Sequence, residues 1–162
     1  MFVFMLCSGI RNNNSFGFRP ESSCEMAVIK VLEYFNRLNN NEEIITLDGN
    51  KRILSSKDIV ITDTIKPVCI AGVMGGENTE VDNTTTDILI ESAIFDAVSI
   101  RYTASNLDLR SEASIRYGKG LNYEYTEKAI ERACYLLEKY ASAKVLTGTV
   151  KHDKIDKKDK LL

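Results

Sequence analysis

The sequence is 162 residues long, 44% hydrophobic and 27% charged, with a formal net charge of −2. That length suits one domain with a substantial core, and the balance is that of a soluble globular protein. It excludes a chain-wide basic field for nucleic acid, and no apolar run approaches the roughly 18 residues of a membrane helix.

Residues 1–7 are apolar and read as a strand; without a basic leader or a small-residue cleavage site they are not read as a signal peptide. Arg11 to Ser15 and Phe16 to Pro20 form a loop. Ser22 or Ser23 caps an expected helix over 23–37, where Cys24, Val28, Val31, Leu32 and Phe35 recur at helical spacing. The four cysteines, Cys7, Cys24, Cys69 and Cys134, are widely separated and the one histidine, His152, lies in a charged segment. No zinc site, no other metal and no cofactor is expected from that set, and a histidine-dependent triad is disfavoured. Cysteine usage fits a reducing, cytoplasmic setting.

Ile44 to Leu54, with Asp48-Gly49 at its middle, predicts a hairpin closed by a tight primed turn with φ > 0 at both central positions. Ile59-Val60-Ile61 and Val68-Cys69-Ile70 predict two strands joined through Lys66-Pro67. The second runs into Ala71-Gly72-Val73-Met74-Gly75-Gly76-Glu77, three glycines in five residues. Ile88-Leu89-Ile90 is a third run, closed by the carboxylate of Glu91. A glycine pair after a strand is most often a plain turn, and a glutamate at a strand end is most often solvated; together they also make a pocket wall and floor. Both readings stand on spacing alone. Neither the Gly-Lys-Ser/Thr ending nor the Gly-x-Gly-x-x-Gly spacing of a phosphate loop is present.

Asp96 is expected to cap a helix from 97 to 105 with Val98, Arg101, Tyr102 and Ser105 at turn-by-turn spacing. Ser111 to Tyr117 alternates as a strand would, and Gly118 and Gly120 break it. Asn122 precedes a helix over 123–141 whose expected buried stripe is Thr126, Ala129, Ala133, Leu136, Leu137 and Tyr140. Lys144 to Val150 is a closing strand, and 151–162 a solvated charged tail or linker. The expected fold class is α+β, a mixed or antiparallel β-sheet with helices packed on one face.

Four segments occur in order: Thr46-Leu47-Asp48-Gly49; Ala71 to Glu77; Glu91-Ser92-Ala93-Ile94-Phe95-Asp96; and Leu109-Arg110-Ser111-Glu112-Ala113-Ser114-Ile115-Arg116-Tyr117. In that order and spacing they resemble the B3/B4 region of the beta subunit of bacterial phenylalanyl-tRNA synthetase. The resemblance covers residues 43–150, with 1–42 of uncertain assignment and 151–162 outside it. It implies a B3/B4-like editing domain that hydrolyses tyrosine mischarged on tRNA(Phe), with the alpha subunit as partner, the aminoacylated tRNA 3′ end as substrate and free tyrosine as a ligand. By matching position, Glu91 would read the tyrosine hydroxyl. Gly75, with Met74 and Gly76 beside it, would line the pocket, and Ser111 and Ala113 would form the far wall.

The sequence also departs from that pattern. The family's upstream histidine segment has no counterpart in 1–42, and its usual Arg-Phe/Tyr-Glu-Arg-Gly is here Arg116-Tyr117-Gly118-Lys119-Gly120. The resemblance therefore names no catalytic residue. An inactive structural or RNA-binding module, or a truncated remnant of the same domain, is the alternative.

Overall fold

The computed structural model describes residues 2–8, 42–63, 65–146 and 149–152. The fold is α+β, built from antiparallel sheets and three α-helices among those residues. The helix expected over 23–37 and the tail beyond 152 lie outside the described residues.

Strand β1 (Phe2–Ser8) occupies the middle of the largest sheet. It pairs antiparallel with β7 (Asp87–Ala93), in the register Phe2 with Ala93 through Ser8 with Asp87. Its other edge takes β8 (Lys144–Val145) and β9 (Val150–His152). The expected closing strand is thus two short strands, and β9 carries Lys151 and His152, which the sequence reading assigned to the tail. Lys151 also pairs with Glu127 at 2.9 Å.

Hairpin strands β2 (Glu42–Ile45) and β3 (Lys51–Leu54) form a second sheet. Their turn is longer than the two-residue primed turn expected. Thr46 N–H donates to the Asn50 carbonyl at 3.1 Å and Gly49 N–H to the Thr46 carbonyl at 2.8 Å, and of the Asp48-Gly49 pair only Gly49 has positive φ, +75°. That is the three-residue loop in which a glycine in the left-handed region closes the turn. Arg52 clamps it, donating to both carboxylate oxygens of Asp48 at 2.7 Å, so Asp48 is held well below the usual carboxylate range, chiefly by that guanidinium.

Strands β4 (Val60–Thr62), β5 (Pro67–Ile70) and β6 (Met74–Gly75) make a three-stranded meander. An isolated bridge between Thr46 and Gly76 joins it to the hairpin, and Leu47 N–H donates to the Gly75 carbonyl at 3.0 Å.

Helix α1 (Ala97–Asn106) begins as expected, with Asp96 Oδ1 accepting from Ser99 N–H at 2.8 Å. Its buried face is Ile100 and Thr103, whereas Val98 and Tyr102, which recur at turn-by-turn spacing in the sequence, are exposed. The partner decides this. Thr103 Oγ1 donates to the buried Asp58 at 2.6 Å, and Asp58 also accepts from the backbone and side chain of Ser55.

Residues 112–117 form a helix, α2 (Glu112–Tyr117), not a strand. Ser111 closes a capping box with Ser114, each side chain accepting from the other's backbone N–H, and the paired cap outweighs a short alternation that fits either period.

Helix α3 (Thr126–Ala141) follows a 3-10 turn capped by Asn122. Its buried residues are Thr126, Ile130 and Cys134, with Leu137 beside them, while Ala129 and Tyr140 of the expected stripe face solvent. The stripe is rotated because the helix packs on Ile88 and Ile90 of β7 and on Val145.

Two cores result. The larger joins Ile44, Leu54, Val60, Ile70, Val73 and Phe95 with neighbours from the hairpin, the meander and α1. The smaller lies between α3 and the β7–β1 sheet. Side chains alternate along β7, so it serves both. Ile88 and Ile90 point at α3, where Ser92 Oγ also donates to the Thr126 carbonyl at 2.8 Å; Ala93 joins the larger core.

Candidate functional site

Glu91 sits within β7, which continues to Ala93, rather than at the strand's end. Alternation places it on the face shared with Ala93, opposite the one covered by α3. It is largely buried. Its Oε1 is inaccessible to solvent and has no hydrogen-bond partner among the described residues. Burial pushes its carboxyl from the ordinary 4.5 up to about 7.

Two groups feel that carboxylate. The thiol of Cys69 is pushed up to about 12, first by burial and then by the charge of Glu91. The phenol of Tyr117 is raised by burial, then by Glu91 and Cys69. Cys69 in turn stands opposite Gly75 in the β5–β6 register. Strand pairing and electrostatics therefore gather Glu91, Cys69, Gly75 and Tyr117 into one neighbourhood.

The glycines divide by role. A Cβ on Gly75 would meet only the end of the Leu47 side chain, at 3.2 Å, so this edge is open apart from one flexible neighbour. A Cβ on Gly76 would stand 2.7 Å from the Val68 carbonyl oxygen, and Gly76 N–H already donates to that oxygen at 2.8 Å. Gly76 is thus needed for close strand approach and has no N–H to offer a ligand. Gly72 is constrained in both backbone and space. At φ +66°, its absent Cβ would lie 3.0 Å from both Ile100 and Phe95.

Ser111 joins the far side to this loop. Its hydroxyl donates to the Val73 carbonyl at 2.5 Å while the same oxygen accepts from Ser114 N–H at 3.0 Å. Ser111 thereby fixes the start of α2 against the residue preceding Met74. Met74 is half-buried against the larger core. Ala113 lies in the first turn of α2, half-buried. Tyr117, at the other end of α2, packs on Phe95 with ring centroids 5.3 Å apart.

Of the six residues expected from sequence, Glu91, Gly75, Met74 and Ser111 fall along one connected path through Cys69 and Val73, and Ala113 follows on α2. Three neighbours were missed: Cys69, Leu47 and Tyr117. Cys69 was legible only as a buried hydrophobe, because its facing of Gly75 depends on strand register. Leu47 stands in the first of the four matching segments, but its place beside Gly75 depends on a tertiary contact, its N–H donating to the Gly75 carbonyl next to the Thr46–Gly76 bridge.

A sequence profile described as the B3/4 domain matches residues 30–142. The chain belongs to the B3/4 domain family. The match begins upstream of residue 43 and ends at the close of α3.

This B3/4 domain is also 51% identical over 112 residues to phenylalanine-tRNA ligase beta subunits of Staphylococcus aureus, among them those of strains bovine RF122 / ET3-1, Mu50 / ATCC 700699 and N315. The aligned stretch is 69% of this chain and 14% of each relative, so the chain spans a small part of the length of the proteins it matches. The similarity expected from the four ordered segments is thereby established for the B3/B4 region of that subunit. Among the described residues, no helix is long and apolar enough to cross a membrane.

Proposed function

We propose that this B3/4 domain edits: it binds the 3′ end of tRNA(Phe) carrying tyrosine and hydrolyses the ester, as part of a phenylalanine-tRNA ligase beta subunit working beside its alpha subunit in the cytoplasm. Residues 43–150 are taken as the editing unit.

The buried Oε1 of Glu91, with no partner among the described residues, carries this reading. A buried acceptor left unpaired costs about 1–3 kcal/mol. The phenol of tyrosine supplies the missing donor, while phenylalanine, one hydroxyl short, leaves the deficit in place. Sites built to require a substrate hydroxyl discriminate by up to about 10⁴–10⁵ against the analogue lacking it. Pairing with the phenol also favours the ionised carboxylate, so tyrosine binding near pH 7 releases a proton from Glu91.

In the same reading, the ring lies along Met74 and Gly75, with Leu47 free to yield, and Ser111 and Ala113 close the far wall. Cys69 and Tyr117 keep water from the carboxylate. The nucleophile is water, and the domain's part is to orient the ester and polarise its carbonyl.

A second reading, a pocket that binds without turnover, has one observation in its favour. Gly76 N–H is committed to Val68 and cannot polarise an ester carbonyl.

Deacylation of tyrosyl-tRNA(Phe) beside phenylalanyl-tRNA(Phe), by the chain and its Glu91→Ala variant, tests the proposal. Selective loss of tyrosine that disappears in the variant is the expected result. No hydrolysis of either substrate, with free tyrosine still raising the melting temperature, would leave the binding module.

A further inference from the structure

Away from Glu91, a cleft of about 410 Å³ opens between α1 and α2. Its apolar lining comes from Ala104, Leu109 and Ile115. Around this stand three cations, Arg101, Arg110 and Lys119, against one carboxylate, Asp108. None of the three cations forms an ion pair among the described residues. Arg101 is held in place by donating to the carbonyl of Gly118. The whole chain is net negative, so this concentration of positive charge is local.

The cleft shares a wall with the Glu91 neighbourhood. Leu109 and Arg110 line it immediately before Ser111, whose hydroxyl holds the Val73 carbonyl, and Ser114 of the same capping box lines it too. A ligand in the cleft therefore touches the segment that leads into the far wall of the candidate site.

We propose that this cleft holds one nucleotide of the single-stranded RNA end whose terminal ester enters the Glu91 site. The volume suits one nucleotide, at the lower end of ordinary ligand cavities. The apolar lining accepts a ribose and base, and the cations take the phosphates on either side. Asp108 accepts from a ribose hydroxyl or a base amine. For the identity of its ligand, the inference rests on the editing reading.

The test is binding of a short fluorescent RNA ending in CCA to the full chain, read by anisotropy from about 50 to about 200 mM salt. Each phosphate contact on a single strand contributes about 0.7 to the slope of log affinity against log salt. The double variant Arg110→Glu/Lys119→Glu is expected to lower that slope by about 1.4 and to weaken binding about tenfold or more at low salt. The matched control is Lys128→Glu/Lys139→Glu, which makes the same change in net charge on α3. Those lysines stand over Tyr125 and over Tyr135 and Tyr140 on the far side of the β7–β1 sheet. The control is expected to keep the wild-type slope, with far-UV circular dichroism showing both variants folded.

An unchanged slope in the cleft variant, or an equal loss in the control, would overturn the proposal. So would binding of free AMP with none of the RNA. Wild-type stabilisation by tyrosine is measured separately. Its absence, with cleft-dependent RNA binding intact, would remove the editing reading and leave the cleft as an RNA site.

Discussion

Ser111 Oγ lies 2.5 Å from the carbonyl oxygen of Val73, a contact that spans 38 positions in sequence. The hydroxyl does two things at once, capping α2 through Ser114 N–H and fastening that helix to the glycine loop. These roles separate by substitution. Ser111→Ala removes both and is expected to destabilise the domain by about 1–2 kcal/mol. Ser111→Asp keeps a good cap but has no proton to donate to Val73. Urea denaturation of the two, with tyrosine binding alongside, is expected to show stability partly restored in Ser111→Asp and tyrosine affinity still reduced. Full recovery of both would mean that only the cap matters.

Glu91 gives the domain a specific pH dependence. Its carboxyl rises from the ordinary 4.5 to about 7 through burial, so the folded state binds a proton that the unfolded chain has released between those values. Stability therefore falls as pH rises through that window, by at most about 3 kcal/mol if the full shift is realised. Glu91→Gln is expected to flatten this slope and to be the more stable protein at pH 8. Melting temperatures of the two proteins across pH 4.5–8 measure it. A parallel decline in both would place the titrating group elsewhere.

The glycines predict a contrast in tolerance. Gly72→Ala puts a Cβ at positive φ and 3.0 Å from Ile100 and Phe95. The combined strain and overpacking is expected to cost about 2–4 kcal/mol. Gly75→Ala meets only the Leu47 side chain, and its cost is expected to stay below about 1 kcal/mol. Chemical denaturation compares the two directly. If Gly75→Ala also weakens tyrosine binding while leaving the fold intact, the ring passes along that edge.

Asp58 and Thr103 form a buried pair at 2.6 Å between the turn before β4 and helix α1. Thr103→Val keeps the shape and removes the donor, and is expected to destabilise by about 1–3 kcal/mol through the weakened solvation of Asp58. Thr103→Ser retains the hydroxyl and is expected to lose less. A double-mutant cycle with Asp58→Asn measures the coupling between the two positions.

What was legible in the sequence is what short-range chemistry decides. The Asp-Gly hairpin, the Asp96 cap, the two apolar runs about Pro67 and the strand ending near Glu91 each rest on residues a few positions apart. Where the same pattern fits two structures, neighbours in space chose between them. Six alternating residues became α2 with Ser111, which shares a capping box with Ser114, fastened to the Val73 carbonyl 38 positions away. Helix α3 turned Ile130, Cys134 and Leu137 to the sheet and left Tyr140 in solvent, because rotation about a helix axis depends on what it packs against.

The candidate site divides in the same way. By itself the sequence determined its parts: a glycine-rich run leaving one strand, a carboxylate closing the next apolar run, and a serine at the head of an alternating segment that reads as a strand. Only the tertiary structure decided that Glu91 faces away from α3, loses its water and comes beside Cys69 and Tyr117. It likewise decided that Gly76 serves strand packing while Gly75 stays open. Burial and register are properties of pairs of distant segments. No local run of residues encodes them until β5, β6, β7 and α2 are brought together.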